Sequence, residues 1–340
     1  MAKAVKLADI ADKLGVSKVT VSKALSGQKG VGEDLRRKII DLADEMGYKS
    51  PSAIKNNKYA KSYNLAVIIQ EKHFDKYDSF YMQMYKQVNA KALSKSSYTM
   101  LEVVSQQMED KGELPRLIQD EKVDGIIIIG MFATSYLRLL KAKAKVPIVY
   151  MDFIDENEPE DSVISDSFYG SFMLTNYLYD CGHTRIAYVG TLLSTDSITD
   201  RYLGYVKALM EHGKGIDDII VINDRDINKA AQFAPELLKL PKKLPTAFVC
   251  NCDKTAGVLI KRLEMDGYKI PDDISVVGYD NYIFPGTVDV DITTYEVDIK
   301  EMARQAVNIV IAKISGETYR SGTRIVEGRM VIKNSVRKIK

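Results

Sequence analysis

Apolar residues in the first 49 positions recur at helical spacing, in three short runs separated by polar breaks. The first run ends at Gly15, a residue type that lets the backbone leave a helix at positive φ, and the second run begins after Ser17. A third run, EDLRRKIIDLADEM, has acidic residues at its start and ends before Gly47. The pattern predicts three helices around one small core in residues 1–49, the first two joined by a tight turn. The apolar positions of those two helices are Ala8, Ile10, Ala11, Leu14, Val21, Ala24 and Leu25.

The pattern changes after residue 63, where short β-branched runs alternate with helical stretches. Eight runs form two sets of four: LAVII, YTMLEVV, GIIII and PIVYM, then IAYVG, IIVI, TAFVC and ISVVGY. Continuous apolar runs of this length are typical of parallel strands that crossover helices bury on both faces. The sequence therefore predicts a small all-α head and an α/β body of two lobes, each built on a doubly wound parallel sheet.

Two late apolar segments, ITTYEV and RIVEGRMVI, indicate that the chain crosses back between the lobes. We expect the first lobe to comprise residues 64–164 and 295–323, and the second lobe to comprise residues 165–294 and 324–340. Between head and body, the segment KSPSAIKNNKYAKSYN contains Pro51 and four lysines and has little helical propensity of its own. It predicts a hinge linker over residues 50–63.

Charge is distributed unevenly along the chain, whose formal net charge is +2. Residues 1–63 contain 13 Lys and Arg against 7 Asp and Glu, whereas the remaining 277 residues contain 35 against 39. A basic head on a mildly acidic body indicates that only the head meets a polyanion. On charge alone, a solvated pair of basic helices explains the asymmetry equally well.

Several classes of protein and site are disfavoured by what the sequence contains. It has neither the apolar run of a signal peptide nor the roughly 20 apolar residues of a spanning helix. The three cysteines are an odd number, and Cys250 and Cys252 are too close for the usual zinc or redox pair. The three histidines lack metal-ligand spacing, and no nucleophile elbow, phosphate loop or dinucleotide fingerprint follows a strand. We expect a reduced, cytoplasmic protein that is not an enzyme, needs no cofactor or metal and does not contact membranes.

The second predicted helix has one face outside the small core. When a recognition helix lies in the major groove, its amino end and first turns meet base edges and phosphates. We therefore expect this face to contact double-stranded DNA. Its residues are Ser17, Lys18, Val19, Thr20, Ser22 and Lys23.

Polar and aromatic residues follow the predicted strands of the body. In doubly wound sheets a ligand lies beyond the carboxyl ends of the strands. Carboxylates, amides and aromatic rings together suit a polyhydroxylated ligand, because they supply acceptors for hydroxyls and a flat face for C–H groups. A single such residue is more often a helix cap, so the prediction depends on their convergence. The strand ends are Gln70–Glu71, Gly130–Phe132, Asp152–Phe153, Gly190–Thr191, Asn251–Asp253 and Tyr279–Asn281.

Several motifs, in order along nearly the whole chain, resemble those of the LacI/GalR (lactose/galactose repressor) family of transcription regulators. They begin with LADIADKLGVSKVTVSKALSG and Gly47–Tyr48, continue through VDGIIIIG and CGHTRIAYVG, and end in IPDDISVVGYDN and ITTYEVD. The resemblance implies a sequence-specific DNA-binding repressor whose body is similar to periplasmic binding proteins. It also implies a small-molecule effector between the lobes, a sugar or sugar derivative, and a homodimer that binds a pseudo-palindromic operator.

The resemblance implies operator-reading residues in the head and in the linker. Lys18, Val19 and Lys23 match the positions that read the operator, and Lys23 stands where relatives usually carry arginine. In relatives a linker leucine wedges into the minor groove and kinks the duplex. Asn57 stands at that position here, so either Ile54 or Tyr59 is the wedge, or this protein bends DNA less.

The resemblance also implies effector contacts in the body. Asp152, Arg201 in DRYLGY and Asp280 in GYDN match charged contacts to the effector. Because the chain contains no tryptophan, any ring stacked on a sugar must be Phe or Tyr. The remaining positions that match the effector pocket are Phe80, Tyr81, Ser197 and Cys252.

Two other binding functions stay open at this point. A solute-binding receptor would share the two-lobed body, but it would need a signal peptide and would not use a helix-turn-helix. An effector-independent DNA-binding regulator would keep the head and lose the chemistry of the cleft. The combination of Arg201 with Asp152 and Asp280 argues against that second alternative.

Overall fold

The computed structural model describes residues 5–25, 30–46, 48, 61–73, 79–227, 232–282 and 288–339. The chain divides into two compact units, Met1–Lys61 and Ser62–Lys340. In the described residues, no helix is long and apolar enough to cross a membrane.

The first unit contains the three predicted helices, α1 (Leu7–Leu14), α2 (Lys18–Leu25) and α3 (Glu33–Glu45). Gly15 ends α1 in the left-handed region, at φ 62°, which confirms the expected turn. Apolar side chains from all three helices form one small core, as the periodicity predicts. Its buried members are Ile10, Ala11, Val21, Ala24, Ile39 and Ala43.

The first lobe of the body is built on a six-stranded parallel sheet with the order β13-β5-β4-β3-β1-β2. Its strands are β1 (Asn64–Gln70), β2 (Tyr98–Val104), β3 (Gly125–Ile129), β4 (Ile148–Met151), β5 (Asp161–Ser165) and β13 (Arg324–Val326). The isoleucine run of β3 is completely buried, because helices pack on both faces of the sheet. The helices of this lobe are α4 (Phe80–Ser94), α5 (Gln106–Lys111), α6 (Arg116–Gln119), α7 (Thr134–Lys143) and α11 (Ile299–Ser315).

The second lobe is built on a four-stranded parallel sheet with the order β11-β10-β6-β7. Its strands are β6 (Ile186–Val189), β7 (Val221–Ile222), β10 (Ala247–Cys250) and β11 (Ser275–Val277). Its helices are α8 (Ser167–Asp180), α9 (Asp196–Glu211) and α10 (Asp253–Met265). A two-stranded hairpin follows β7, formed by β8 (Arg225–Asp226) and β9 (Gln232–Phe233). The two sheets confirm the predicted α/β class.

Helices α8 and α9 approach so closely that only glycine fits at their crossing. A Cβ atom on Gly204 would lie 2.1 Å from the carbonyl oxygen of Phe168. The close contact fixes α9 against α8 and thereby sets the position of Arg201, which lies one turn before Gly204 on the same helix.

The chain passes between the lobes near β12 (Thr294–Glu296), which pairs antiparallel with β14 (Arg329–Val331). Strand β13 pairs with β5 in the first-lobe sheet, so our assignment of residues 324–326 to the second lobe is wrong. The segment RIVEGRMVI forms two strands, β13 and β14. At Gly328, between them, a Cβ atom would lie 2.1 Å from the carbonyl oxygen of Glu296, so a side chain there would keep the crossing segments apart.

Candidate functional site

Helix α2 presents the predicted DNA-contacting face to solvent. Lys18, Val19, Ser22 and Lys23 are exposed, and the 63% exposure of Val19 is high for an apolar side chain. Val21 and Ala24, on the opposite face, are buried in the core of the head. An exposed apolar residue between two lysines suits contact with a thymine methyl group beside the phosphate backbone.

The two ends of α2 are held by hydrogen bonds from within the head. Ser17 Oγ accepts from the Thr20 backbone N–H at 3.0 Å and lies 2.9 Å from Thr20 Oγ1, so the Ser17 hydroxyl caps the amino end of the helix. At the other end, Arg36 Nη1 of α3 donates to the Ala24 carbonyl oxygen at 2.9 Å. A guanidinium that satisfies the last carbonyls of α2 fixes the helix relative to α3. The predicted linker contacts Ile54 and Asn57 lie outside the described residues.

In the body, the predicted charged contacts meet where the two lobes face each other. Arg201 is only 6% exposed, and its Nη2 lies 3.3 Å from Asp280 Oδ1. Its Nη1 donates to the carbonyl oxygen of Asn251, and its guanidinium carbon lies 3.7 Å from the centre of the Tyr279 ring. Arg201 therefore contacts the carboxyl ends of β10 and β11 at the same time. Arg201 Nε is buried and has no hydrogen-bond partner in the described residues.

Asp152 lies at the carboxyl end of β4 on the first-lobe side. Its backbone is in the left-handed region, at φ 72°, and its Oδ2 accepts from Tyr81 Oη at 3.1 Å. The Tyr81 ring stacks on His73, with ring centres 4.2 Å apart, and both rings pack against Gly130. The stacked rings of His73 and Tyr81, together with the carboxylate of Asp152, thus form one surface of the first lobe, which we call the first-lobe wall.

The carboxyl groups of this cluster have strongly perturbed pKa values. Burial raises the pKa of Asp152 to about 6. The positive charge of Arg201 and the hydrogen bond from the Tyr81 hydroxyl act in the opposite direction, but their effect is smaller. Burial also raises the pKa of Asp280 to about 7. The positive charge of Arg201 acts to lower this pKa, whereas the negative charge of Asp152 acts to raise it. Two acidic groups from different lobes therefore influence each other across the cleft, and Arg201 stabilises the charged form of both.

The other predicted effector contacts lie around this cluster. Ser197 is in the first turn of α9, one turn before Arg201, and its Oγ lies 3.1 Å from Thr195 Oγ1. Cys252 is buried, with its Sγ 3.3 Å from Thr255 Oγ1. Phe80, at the start of α4, faces Tyr282 of the second lobe, with ring centres 6.3 Å apart. Whether these residues bind an effector stays a prediction.

Two surface cavities, of about 460 and 290 Å³, lie elsewhere on the body. The larger is lined by Ile148 and Lys313, and the smaller by Arg185 and Ile186, at the amino ends of their sheets. Neither cavity includes a predicted site residue. The carboxyl-end cluster is the better candidate for a ligand site because charged groups of both lobes converge there, at the strand ends where doubly wound sheets bind ligands.

Known proteins match both parts of the chain. Residues 6–51 match the bacterial regulatory proteins of the lacI family, and residues 175–336 match the periplasmic binding protein-like domain. The transcriptional repressor PurR of Vibrio campbellii is 25% identical over 332 residues, which cover 97% of this chain and 98% of PurR.

Two solved structures share the fold over the whole chain. The complex of the transcriptional regulator CelR with cellobiose has a TM-score of 0.67 at 21% identity, over 97% of this chain and 99% of CelR. The Lac repressor dimer bound to operator and an anti-inducer has a TM-score of 0.66 at 20% identity, over 98% and 100%.

The chain belongs to the lacI family. It is a DNA-binding transcriptional repressor of that family, with a periplasmic-binding-protein-like body.

The cleft of this lacI-family repressor contains two polar residues that the sequence analysis missed. Arg225 Nη1 donates to Asn251 Oδ1 at 3.1 Å and forms an ion pair with Asp224, which is completely buried. His73 is the stacking partner of Tyr81, and burial, with Lys72 and Arg225, lowers its pKa to about 3, so the ring is neutral. The signal for Arg225 was available, because it follows β7 by three residues and the rule for strand ends applies to that strand too.

Proposed function

We propose that this protein represses transcription by binding a pseudo-palindromic DNA operator as a homodimer. We propose further that a sugar or sugar derivative, bound between the two lobes of the body, controls this binding. The observation that carries the proposal is the cluster of the buried Arg201 with the half-buried Asp280 and Asp152 at the meeting point of the lobes. A ligand there would contact both lobes at once.

A ligand that bridges two lobes has unequal affinity for their open and closed arrangements. Only such a difference lets an effector shift an equilibrium that affects DNA binding. Carboxylates, an arginine and aromatic rings are the groups that bind the hydroxyls and the C–H face of a sugar. The cellobiose complex of CelR, which shares the fold, also supports a sugar ligand. The operator-bound dimer of the Lac repressor supports the paired mode of DNA binding.

The proposal is tested by coupled binding measurements on the full chain. An operator is first selected from random double-stranded DNA, and its affinity is then measured by fluorescence anisotropy with and without each sugar of a broad panel. We expect one sugar to change the operator affinity at least tenfold and to raise the unfolding temperature of the protein. If no sugar changes either quantity, the effector-independent alternative is favoured. A footprint on a single half-site would contradict paired binding.

Replacing Lys23 by alanine should weaken binding to the selected operator by about 1–3 kcal/mol and leave binding to random DNA nearly unchanged. The reason is that Lys23 lies on the exposed face of α2, where base edges are read. Its matched control is Lys61→Ala, at the end of the predicted linker, which should weaken binding to both DNAs alike. Equal losses on both DNAs for Lys23→Ala would mean that Lys23 contacts only phosphate.

A further inference from the structure

The cations of the cleft are already matched by carboxylates in the described residues. Arg201 pairs with Asp280 at 3.3 Å, with side chains only 7% and 14% exposed. Arg225 pairs with Asp224. An arginine that is already paired with a carboxylate attracts an anionic ligand group less, because the two opposite charges partly cancel.

The pairing of Arg225 is built into the second lobe. Asp224 Oδ2 accepts from Asn251 Nδ2 at 2.6 Å and from Thr255 Oγ1 at 2.7 Å, and its Oδ1 accepts from the Thr191 backbone N–H at 3.0 Å. Donors on several second-lobe segments therefore hold this carboxylate beside Arg225. Releasing Arg225 to neutralise a phosphate would leave a buried aspartate without its counter-ion.

Among the residues that the structure describes, the first-lobe wall pairs no cation with Asp152. His73 stacks on Tyr81 as a neutral ring, and Asp152 accepts a hydrogen bond from the uncharged Tyr81 hydroxyl. Burial lowers the pKa of Lys72, beside His73, and the charge of the nearby Glu109 opposes this only in part. In the described part of the cleft, each arginine is thus paired with an aspartate other than Asp152, and the negative charge of Asp152 has no ion-pair partner.

We propose that the cleft selects an uncharged, hydroxyl-rich ligand over the phosphorylated or carboxylated derivative of the same compound, and that Asp152 is the residue that enforces this choice. Hydroxyl groups can donate hydrogen bonds to Asp152, whereas a phosphate or carboxylate can only accept and carries charge of the same sign. Like charges in a partly buried site repel strongly because little water screens them. This proposal rests on the proposed function, since it concerns the same cleft.

The test uses matched pairs of compounds on the full chain, with unfolding temperature as the screen and calorimetric titration for the affinity. The pairs are ribose and ribose 5-phosphate, glucose and glucose 6-phosphate, glucose and glucuronate, and adenosine and its monophosphate. We expect the uncharged member of a pair to bind at least tenfold more tightly than the charged member.

Equal or tighter binding of a charged member would overturn the proposal and leave a sugar-like effector in place. If adenosine is the one compound that binds, the selection of uncharged ligands is supported and the proposal of a sugar effector is overturned. If no compound of any pair binds, both proposals are overturned.

The Asp152→Asn variant shows whether Asp152 is responsible. Asparagine keeps the size of the side chain and an oxygen that can accept from Tyr81, and it removes a charge whose burial is unfavourable, so the fold should persist. We expect the preference for the uncharged member to fall at least fivefold. The matched control is Glu317→Gln, which removes one charge at an exposed position beyond the end of α11, at the amino ends of the first-lobe sheet, and should leave the preference unchanged. A preference that stays the same in Asp152→Asn, or falls equally in both variants, would overturn the role of Asp152.

Discussion

Replacing Arg201 by alanine should lower the free energy of unfolding of the body by about 3–5 kcal/mol, as expected when one partner of a buried ion pair is removed. The guanidinium is 6% exposed and contacts Asp280, the Asn251 carbonyl oxygen and the Tyr279 ring. Alanine leaves Asp280 buried without its counter-ion and leaves the Asn251 carbonyl without its donor. Chemical denaturation, followed by far-ultraviolet circular dichroism, measures the change.

The same variant should weaken effector binding by roughly 10- to 100-fold, since a charged hydrogen bond contributes about 1.5–3 kcal/mol. The double variant Arg201→Ala/Asp280→Asn separates the two effects. It removes the orphaned charge, so it should recover part of the stability and none of the effector affinity. The matched control is Arg304→Ala, which breaks a surface pair with Glu301 and should cost less than about 1 kcal/mol. A loss below about 1 kcal/mol for Arg201→Ala as well would contradict a buried pair.

The stability of the body should fall as the pH rises from 5 to 7.5, and Asp280→Asn should remove part of this dependence. The folded pKa of Asp280, about 7, lies above its ordinary value because of burial. A carboxyl group whose pKa is raised by folding contributes stability that is complete below its ordinary pKa and is lost as the pH passes the raised value. For Asp280 the expected loss is about 2 kcal/mol between pH 5 and 7.5.

The measurement is the free energy of unfolding of the wild type and of Asp280→Asn at a series of pH values. The difference between the two, wild type minus variant, should decrease as the pH rises. Glu317→Gln, at an exposed position beyond the end of α11, is the matched control and should leave the slope unchanged. A slope that is identical in all three proteins would mean that Asp280 ionises in the fold as it does in the unfolded chain.

The sequence predicted those features of the fold that depend on local periodicity. Helical spacing and Gly15 defined the three-helix head, and continuous apolar runs defined the parallel strands. The rule for strand ends placed Asp152, Cys252 and Asp280 beside one another before any comparison. Each of these signals is contained in a few consecutive residues, because helix, strand and strand end are local properties of the chain.

Features that depend on the pairing of distant segments could not be predicted in the same way. The segment RIVEGRMVI was assigned whole to the second lobe, because nothing in its pattern shows that Arg324–Val326 pairs with β5 while Arg329–Val331 pairs with β12. His73 lies in a 3-10 turn just after β1, where no periodicity marks it as part of the cleft. Arg201 was found only through the resemblance, since the pattern of an amphipathic helix does not show which residue faces the other lobe.

The position of β13 has a consequence for the order in which the lobes fold during synthesis. The first-lobe sheet begins with Asn64 and is completed only by Arg324–Val326, whereas the second-lobe sheet begins with Ile186 and is complete at Val277. A chain that emerges from the ribosome amino end first therefore contains every strand of the second sheet before the first sheet has its last edge strand. The sheet that starts later in the sequence therefore has all its strands first, and Arg324–Val326 can add to the edge of the first sheet only afterwards. The second lobe is completed later still, when Ser335 bonds to Val276 of β11.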